Sequence, residues 1–134
     1  MNTPARPAIR MTGLSKPFWD GVAEQRLLLQ YDPVARRHQF YPRPVSLYGA
    51  MPLEWREASG YGELITFTEC RSPAKGFEGL GPYLVGVVHL DEGVKFFTRI
   101  VNATFDTITI GQRMHINWDP EGIDQLCRFE PVRD

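Results

Sequence analysis

The chain has 134 residues, 43% of them hydrophobic and 23% charged, with a net charge of −1 at pH 7. That length suits one domain, or one small barrel with a short arm, and the near-neutral balance weighs against nucleic acid or an anionic membrane surface as a partner. Two cysteines, Cys70 and Cys127, lie far apart in no CxxC pattern and define no disulfide framework. The first residues show no apolar leader, and no apolar run approaches the roughly 18 residues that a membrane span needs. The expectation is a reduced, cytoplasmic protein that does not enter a membrane.

Residues 1–11 read as a flexible tail. In the stretch that follows, Ser15 is placed to cap a helix and Pro17 suits its first turn, while Phe18, Trp19 and Val22 share one aromatic face. That face must bury against the chain's own barrel or against another subunit, and a short helix on a thin arm favours a partner or a homodimer. Leu27–Tyr31 reads as a strand, Asp32-Pro33-Val34-Ala35 as a turn, and His38–Tyr41 as the returning strand. Pro42 and Pro44 then end regular pairing. Residues 12–52 therefore form an arm made of a helix, a hairpin and a knuckle-like loop.

From residue 53 the pattern changes to a barrel. Leu53–Glu57 alternates, and the run from Glu63 to Cys70 continues as strand past Gly60 and Gly62, so one long strand bent at glycine is expected. Residues 71–82 form a Gly/Pro-rich loop. Tyr83–Leu90 and Val94–Val101, joined at Asp91-Glu92-Gly93, make a hairpin. Met114–Trp118 and Gln125–Phe129 supply two more strands. Five strands, the first long and bent, predict a mainly β protein whose domain 53–134 is a five-stranded OB barrel.

No set of residues reads as a catalytic site. Cys70 and Cys127 sit in predicted strands, where a buried thiol packs as a small inert hydrophobe. His89 and His115 also fall in strands, and Asp91 and Glu92 belong to a solvated turn. Phe96 and Phe97 are adjacent and must point to opposite faces. With Tyr61 and Phe67 they raise the alternative of a single-strand nucleic-acid binder, but Lys95 and Arg99 are offset by Asp91, Glu92 and Asp106. Arg36, Arg37, His38 and Arg43 cluster on the arm in a pattern that reads first as a solvated turn or as salt bridges to a partner, and that also suits phosphate groups. Lys75 and Phe77, on the Gly/Pro-rich loop, are candidates for contact with a ligand or a partner, with a mobile but idle loop as the competing reading.

Several separated motifs occur together: Pro17-Phe18-Trp19-Asp20-Gly21, Arg26-Leu27-Leu28-Leu29-Gln30, Gln39-Phe40-Tyr41-Pro42-Arg43-Pro44, Leu53-Glu54-Trp55, the run 60–67 and the strand 82–91. In this order they resemble the acyl-CoA-associated OB-fold family with an N-terminal rubredoxin-like zinc ribbon, over nearly the whole chain. The resemblance implies a non-catalytic accessory subunit of a thiolase-like or hydratase-like enzyme. Such a subunit binds or covers a CoA ester shared with the partner, with Arg36, Arg37, Arg43, Lys75 and Phe77 toward CoA or partner and Phe18, Trp19 and Tyr41 at the partner interface. A self-sufficient acyl-CoA enzyme of the hydratase or thioesterase type is the alternative. The family's four zinc-ligand positions align here with Asp32, Ala35, Ser46 and Gly49, none of them cysteine, so no bound metal is expected. Tyr31, Phe40, Tyr41 and Tyr48 are expected to pack in the metal's place, aided by Pro33, Pro42, Pro44 and Pro52.

Overall fold

The computed structural model describes residues 12–49, 53–71, 82–118 and 127–133. The chain opens on helix α1 (Lys16–Ala23), followed by strands β1 (Leu28–Asp32), β2 (Arg37–Gln39) and β3 (Glu54–Glu57). These three pair antiparallel in the order β2-β1-β3. Pro17 sits in the first turn of α1 as expected, but Ser15 makes no side-chain cap. Its hydroxyl instead accepts the Thr12 N–H at 3.0 Å.

Five further strands, β4 (Tyr61–Cys70), β5 (Tyr83–Leu90), β6 (Lys95–Ile100), β7 (Arg113–Asn117) and β8 (Arg128–Pro131), close into a barrel in the order β4-β5-β6-β8-β7. All pairs are antiparallel except β6 with β8, joined at Ile100 and Phe129. This is the five-stranded OB barrel expected from the pattern. The β5–β6 turn closes at Gly93, whose φ of 90° lies in the region that glycine enters without steric cost. Strand alternation sorts the core: Leu64, Val88, Met114 and Phe129 are fully buried. Phe96 points inward at 5% exposure and its neighbour Phe97 outward at 60%.

Two expectations change. Leu53–Glu57 does not begin the barrel. As β3 it pairs with β1, with Leu28 opposite Glu57 and Tyr31 opposite Glu54, so its backbone belongs to the arm sheet. The reason is register: Ala58 N–H donates to the Leu27 carbonyl at 2.7 Å, which ties this stretch to the arm before the chain enters the barrel. The second change concerns the aromatic helix face. Phe18 is 4% exposed and packs within its own chain, its ring 5.5 Å from Phe40 and 6.5 Å from Phe96, with Trp19 half-buried edge-on against it. Phe18 is thus the bolt between helix, arm and barrel, because Phe40 and Phe96 stack at 4.9 Å and Phe96 in turn meets Phe129 at 5.8 Å.

Candidate functional site

The arm sheet has two sides, set by the two-residue period of its strands. Leu27, Leu29, Tyr31, His38 and Phe40 face the barrel. Leu27 and Leu29 are buried, and Tyr31 stacks edge-on to its cross-strand partner His38 at 4.7 Å. The Arg56 guanidinium lies over the Tyr31 ring, 3.8 Å from its centroid. Burial pushes the His38 imidazole below its ordinary pKa, with the Glu92 carboxylate opposing that shift from across the barrel turn.

The other side of the sheet carries Gln30, Asp32 and Gln39, all buried although polar. The segment 40–49 folds over them, and hydrogen bonds explain why. Gln39 Nε2 donates to Gln30 Oε1 at 2.9 Å and to the Val45 carbonyl at 3.3 Å. Gln30 clamps Arg43 by both backbone groups, accepting its N–H at 2.8 Å and donating to its carbonyl at 2.9 Å. Leu47 N–H donates to Gln39 Oε1 at 2.8 Å. The segment's backbone is therefore drawn inward by the two carboxamides, and the side chains of Tyr41, Val45, Leu47 and Tyr48 are left facing outward.

The consequence is an apolar surface on a polar interior. Val34 is 65% exposed, Tyr41 60%, Val45 59% and Leu47 55%, and Tyr48 is exposed beside them. Five of the eleven exposed large hydrophobic residues of the described chain thus fall within residues 34–48. Positive charge accompanies it. Residues 33–53 contain Arg36, Arg37 and Arg43 and neither Asp nor Glu, in a chain of net charge −1. Elsewhere on the arm the charges are paired, as Lys16 with Asp20, Arg26 with Glu57 and Arg56 with Glu54. Arg36, Arg37 and Arg43 are exposed and have no carboxylate partner among the described residues; Arg37 lies 4.3 Å over the Tyr48 ring.

Of the residues singled out in the sequence, the structure thus brings Arg36, Arg37, Arg43 and Tyr41 to one segment, and it removes Phe18 into the core. Lys75 and Phe77 lie outside the described residues. Asp32 and Ser46 come into direct contact, whereas Ala35 and Gly49 offer no ligand atom. The aromatic packing expected in place of a metal is not what fills that position: Phe40 packs toward the barrel, and Tyr41 and Tyr48 are exposed. Polar side chains fill it instead. Gln30 and Gln39 carried no functional reading in the sequence, although an amide between Leu29 and Tyr31 in a predicted strand is a usable signal of a buried network.

The barrel offers less chemistry. The Cys127 thiol is pushed up to about 12 by burial, which removes it as a nucleophile. Asp91 is held below its usual value chiefly by the hydrogen bonds from Arg113, a bidentate pair at 2.7 and 2.5 Å across the surface. A cleft of about 250 Å³ between Tyr61, His115 and residues 130–133 is below the size typical of ligand pockets. No group of three His, Cys, Asp or Glu side chains is gathered to hold a metal among the described residues, and no helix among them is long and apolar enough to cross a membrane.

Fold and surface together define an OB-barrel protein with an N-terminal three-stranded arm. Residues 55–119 match the family model for the C-terminal OB-fold domain of ChsH2. The chain is 31% identical over 104 residues to a DUF35 domain-containing scaffold protein of Pyrococcus furiosus, covering 71% of this chain and 76% of that one. This chain belongs to that family, the acyl-CoA-associated OB-fold proteins its motifs resemble. It is also 31% identical over 122 residues to a probable enoyl-CoA hydratase alpha subunit of Thermomonospora curvata, and over 64 residues to a DUF35 domain-containing scaffold protein of Methanothermobacter thermautotrophicus. It spans 37% and 48% of the lengths of those two relatives. Among solved structures, an Ltp2-ChsH2(DUF35) aldolase chain shares the fold with a TM-score of 0.78 at 24% identity, covering 94% of this chain and 98% of that one. A DUF35-family protein of Sulfolobus solfataricus shares it at 0.63 and 9% identity, covering 91% and 87%.

Proposed function

We propose that this chain is a non-catalytic accessory subunit of an acyl-CoA-processing complex, and that the outer segment of its arm docks on a thiolase-like or hydratase-like catalytic subunit. The observation that carries the reading is the exposed Val34, Tyr41, Val45, Leu47 and Tyr48 surface, edged by Arg36, Arg37 and Arg43. An apolar centre with an arginine rim is the composition of a protein interface. The absence of an exposed acid on this segment calls for an acidic rim on the partner. Relatives named as an enoyl-CoA hydratase subunit and as scaffold proteins support the same direction. Arginine also suits the phosphates of CoA, so the cationic edge is placed to share a CoA ester with the partner once docked.

The test is to tag the chain, purify it from its native cells at moderate salt and identify what accompanies it. A near-stoichiometric thiolase-like or hydratase-like protein is the expected companion. A clean homodimer or monomer that turns over acyl-CoA unaided overturns the proposal. Within the recovered complex, the Tyr41→Ala/Leu47→Asp double variant is expected to weaken association at least tenfold, about 1.4 kcal/mol or more. Both side chains are exposed, so the melting temperature of the free chain should stay within a few degrees.

A further inference from the structure

The family resemblance implies a zinc ribbon at Asp32, Ala35, Ser46 and Gly49, and the residues present do not fit a zinc ion. Two of the four positions have no donor atom. The other two use their oxygens on each other and on the backbone. Asp32 Oδ1 accepts the Val34 and Ala35 N–H groups, each at 2.9 Å, and Asp32 Oδ2 accepts the Ser46 hydroxyl proton at 2.5 Å. Ser46 Oγ accepts the Tyr48 N–H at 3.0 Å. Both side chains are buried, Asp32 at 1% exposure and Ser46 at 7%.

We propose that Asp32 and Ser46 form a metal-free latch that joins the two knuckles of the arm where a zinc ion would otherwise sit. Asp32 organises the first knuckle, because its carboxylate holds the two amides of the β1–β2 turn. Ser46 organises the second, because its hydroxyl receives the amide two residues on. The hydrogen bond between them crosses from one knuckle to the other, as two ligands of a shared ion would. The Gln30–Gln39 pair extends the same crosslink along the segment, with Arg43, Val45 and Leu47 tied by their backbones. Every side chain in the set is neutral or acceptor-only and none is a thiol, so the arm's order depends on neither metal supply nor thiol redox state.

The latch has one titratable member. The Ser46 hydroxyl, then the Ala35 and Val34 amides, hold Asp32 below its ordinary value of 3.8. A carboxyl lowered on folding contributes stability above its unfolded value and loses it as pH falls through the folded value. The contribution of the Asp32 carboxylate to stability is therefore present at neutral pH and lost as pH falls below its ordinary value of 3.8.

Three measurements on the full chain decide the proposal. Protein grown with added zinc should carry no stoichiometric metal by elemental analysis, and a chelator should leave its melting temperature unchanged; one zinc per chain, or melting that drops with chelator, overturns it. Ser46→Ala should speed amide exchange at Tyr48 at least tenfold while the barrel amide of Val88 keeps its protection, which shows that the variant is folded; unchanged exchange at Tyr48 overturns it. The four-cysteine variant Asp32→Cys/Ala35→Cys/Ser46→Cys/Gly49→Cys should acquire one tightly held zinc; a folded variant that takes up none shows that the latch does not stand at the metal position.

Discussion

Phe96→Ala is expected to lower the stability of the free chain by about 4 kcal/mol, and its melting temperature by roughly 12–16 °C. The size follows from where the ring sits. Phe96 is 5% exposed on β6, and it meets Phe40 of the arm, Phe18 of the helix and Phe129 of β8. Truncation therefore opens a cavity at the junction of all three parts, and the neighbours cannot collapse into it without moving whole elements. The signature is cooperative loss: arm amides in β1 and barrel amides in β6 should lose protection together. Phe97→Ala, one residue on, is the control. Its side chain is 60% exposed on the opposite face, and its loss should cost less than about 0.5 kcal/mol. Equal effects at the two positions would contradict the packing described.

This contrast was legible in the sequence because strand alternation is local: adjacent phenylalanines in one strand cannot both face the core. The barrel was legible for the same reason, from alternating runs punctuated by Asp91-Glu92-Gly93 and by glycines. What was not legible depended on distant partners. Leu53–Glu57 alternates like any barrel strand, and only its pairing with Leu28–Tyr31 assigns it to the arm. Phe18 looked free to meet a partner because nothing local announces that Phe40 and Phe96 converge on it. Asp32 and Ser46 stand in the sequence only as separate ligand positions without cysteine, yet their hydrogen bond spans fourteen residues. Tyr41, Arg36, Arg37 and Arg43 were identifiable as surface candidates, whereas the exposure of Val45 and Leu47 follows from the carboxamide network that turns their backbone inward.

The close approach of β4 and β5 at Gly62 supplies the other large effect. Gly62→Val is expected to cost about 3 kcal/mol or more, with much of the expressed protein insoluble. An added Cβ at residue 62 would stand 2.6 Å from the His89 carbonyl oxygen, 2.6 Å from Val88 Cγ1 and 2.9 Å from Leu90 Cα. Two of these three neighbours are backbone, so no rotamer change relieves the clash. The strands would have to separate where Gly62 pairs with Leu90 of β5 on one side and Met114 of β7 on the other, within the pairings that close the barrel. Gly49→Ala is the matched control. Its added Cβ would meet nothing within 4 Å, so stability should change by less than about 1 kcal/mol, and a gain is expected from the lower entropy of the unfolded chain. Denaturant titration separates the outcomes: a Gly62→Val midpoint indistinguishable from wild type would mean that β4 and β5 are not in the contact that closes this barrel.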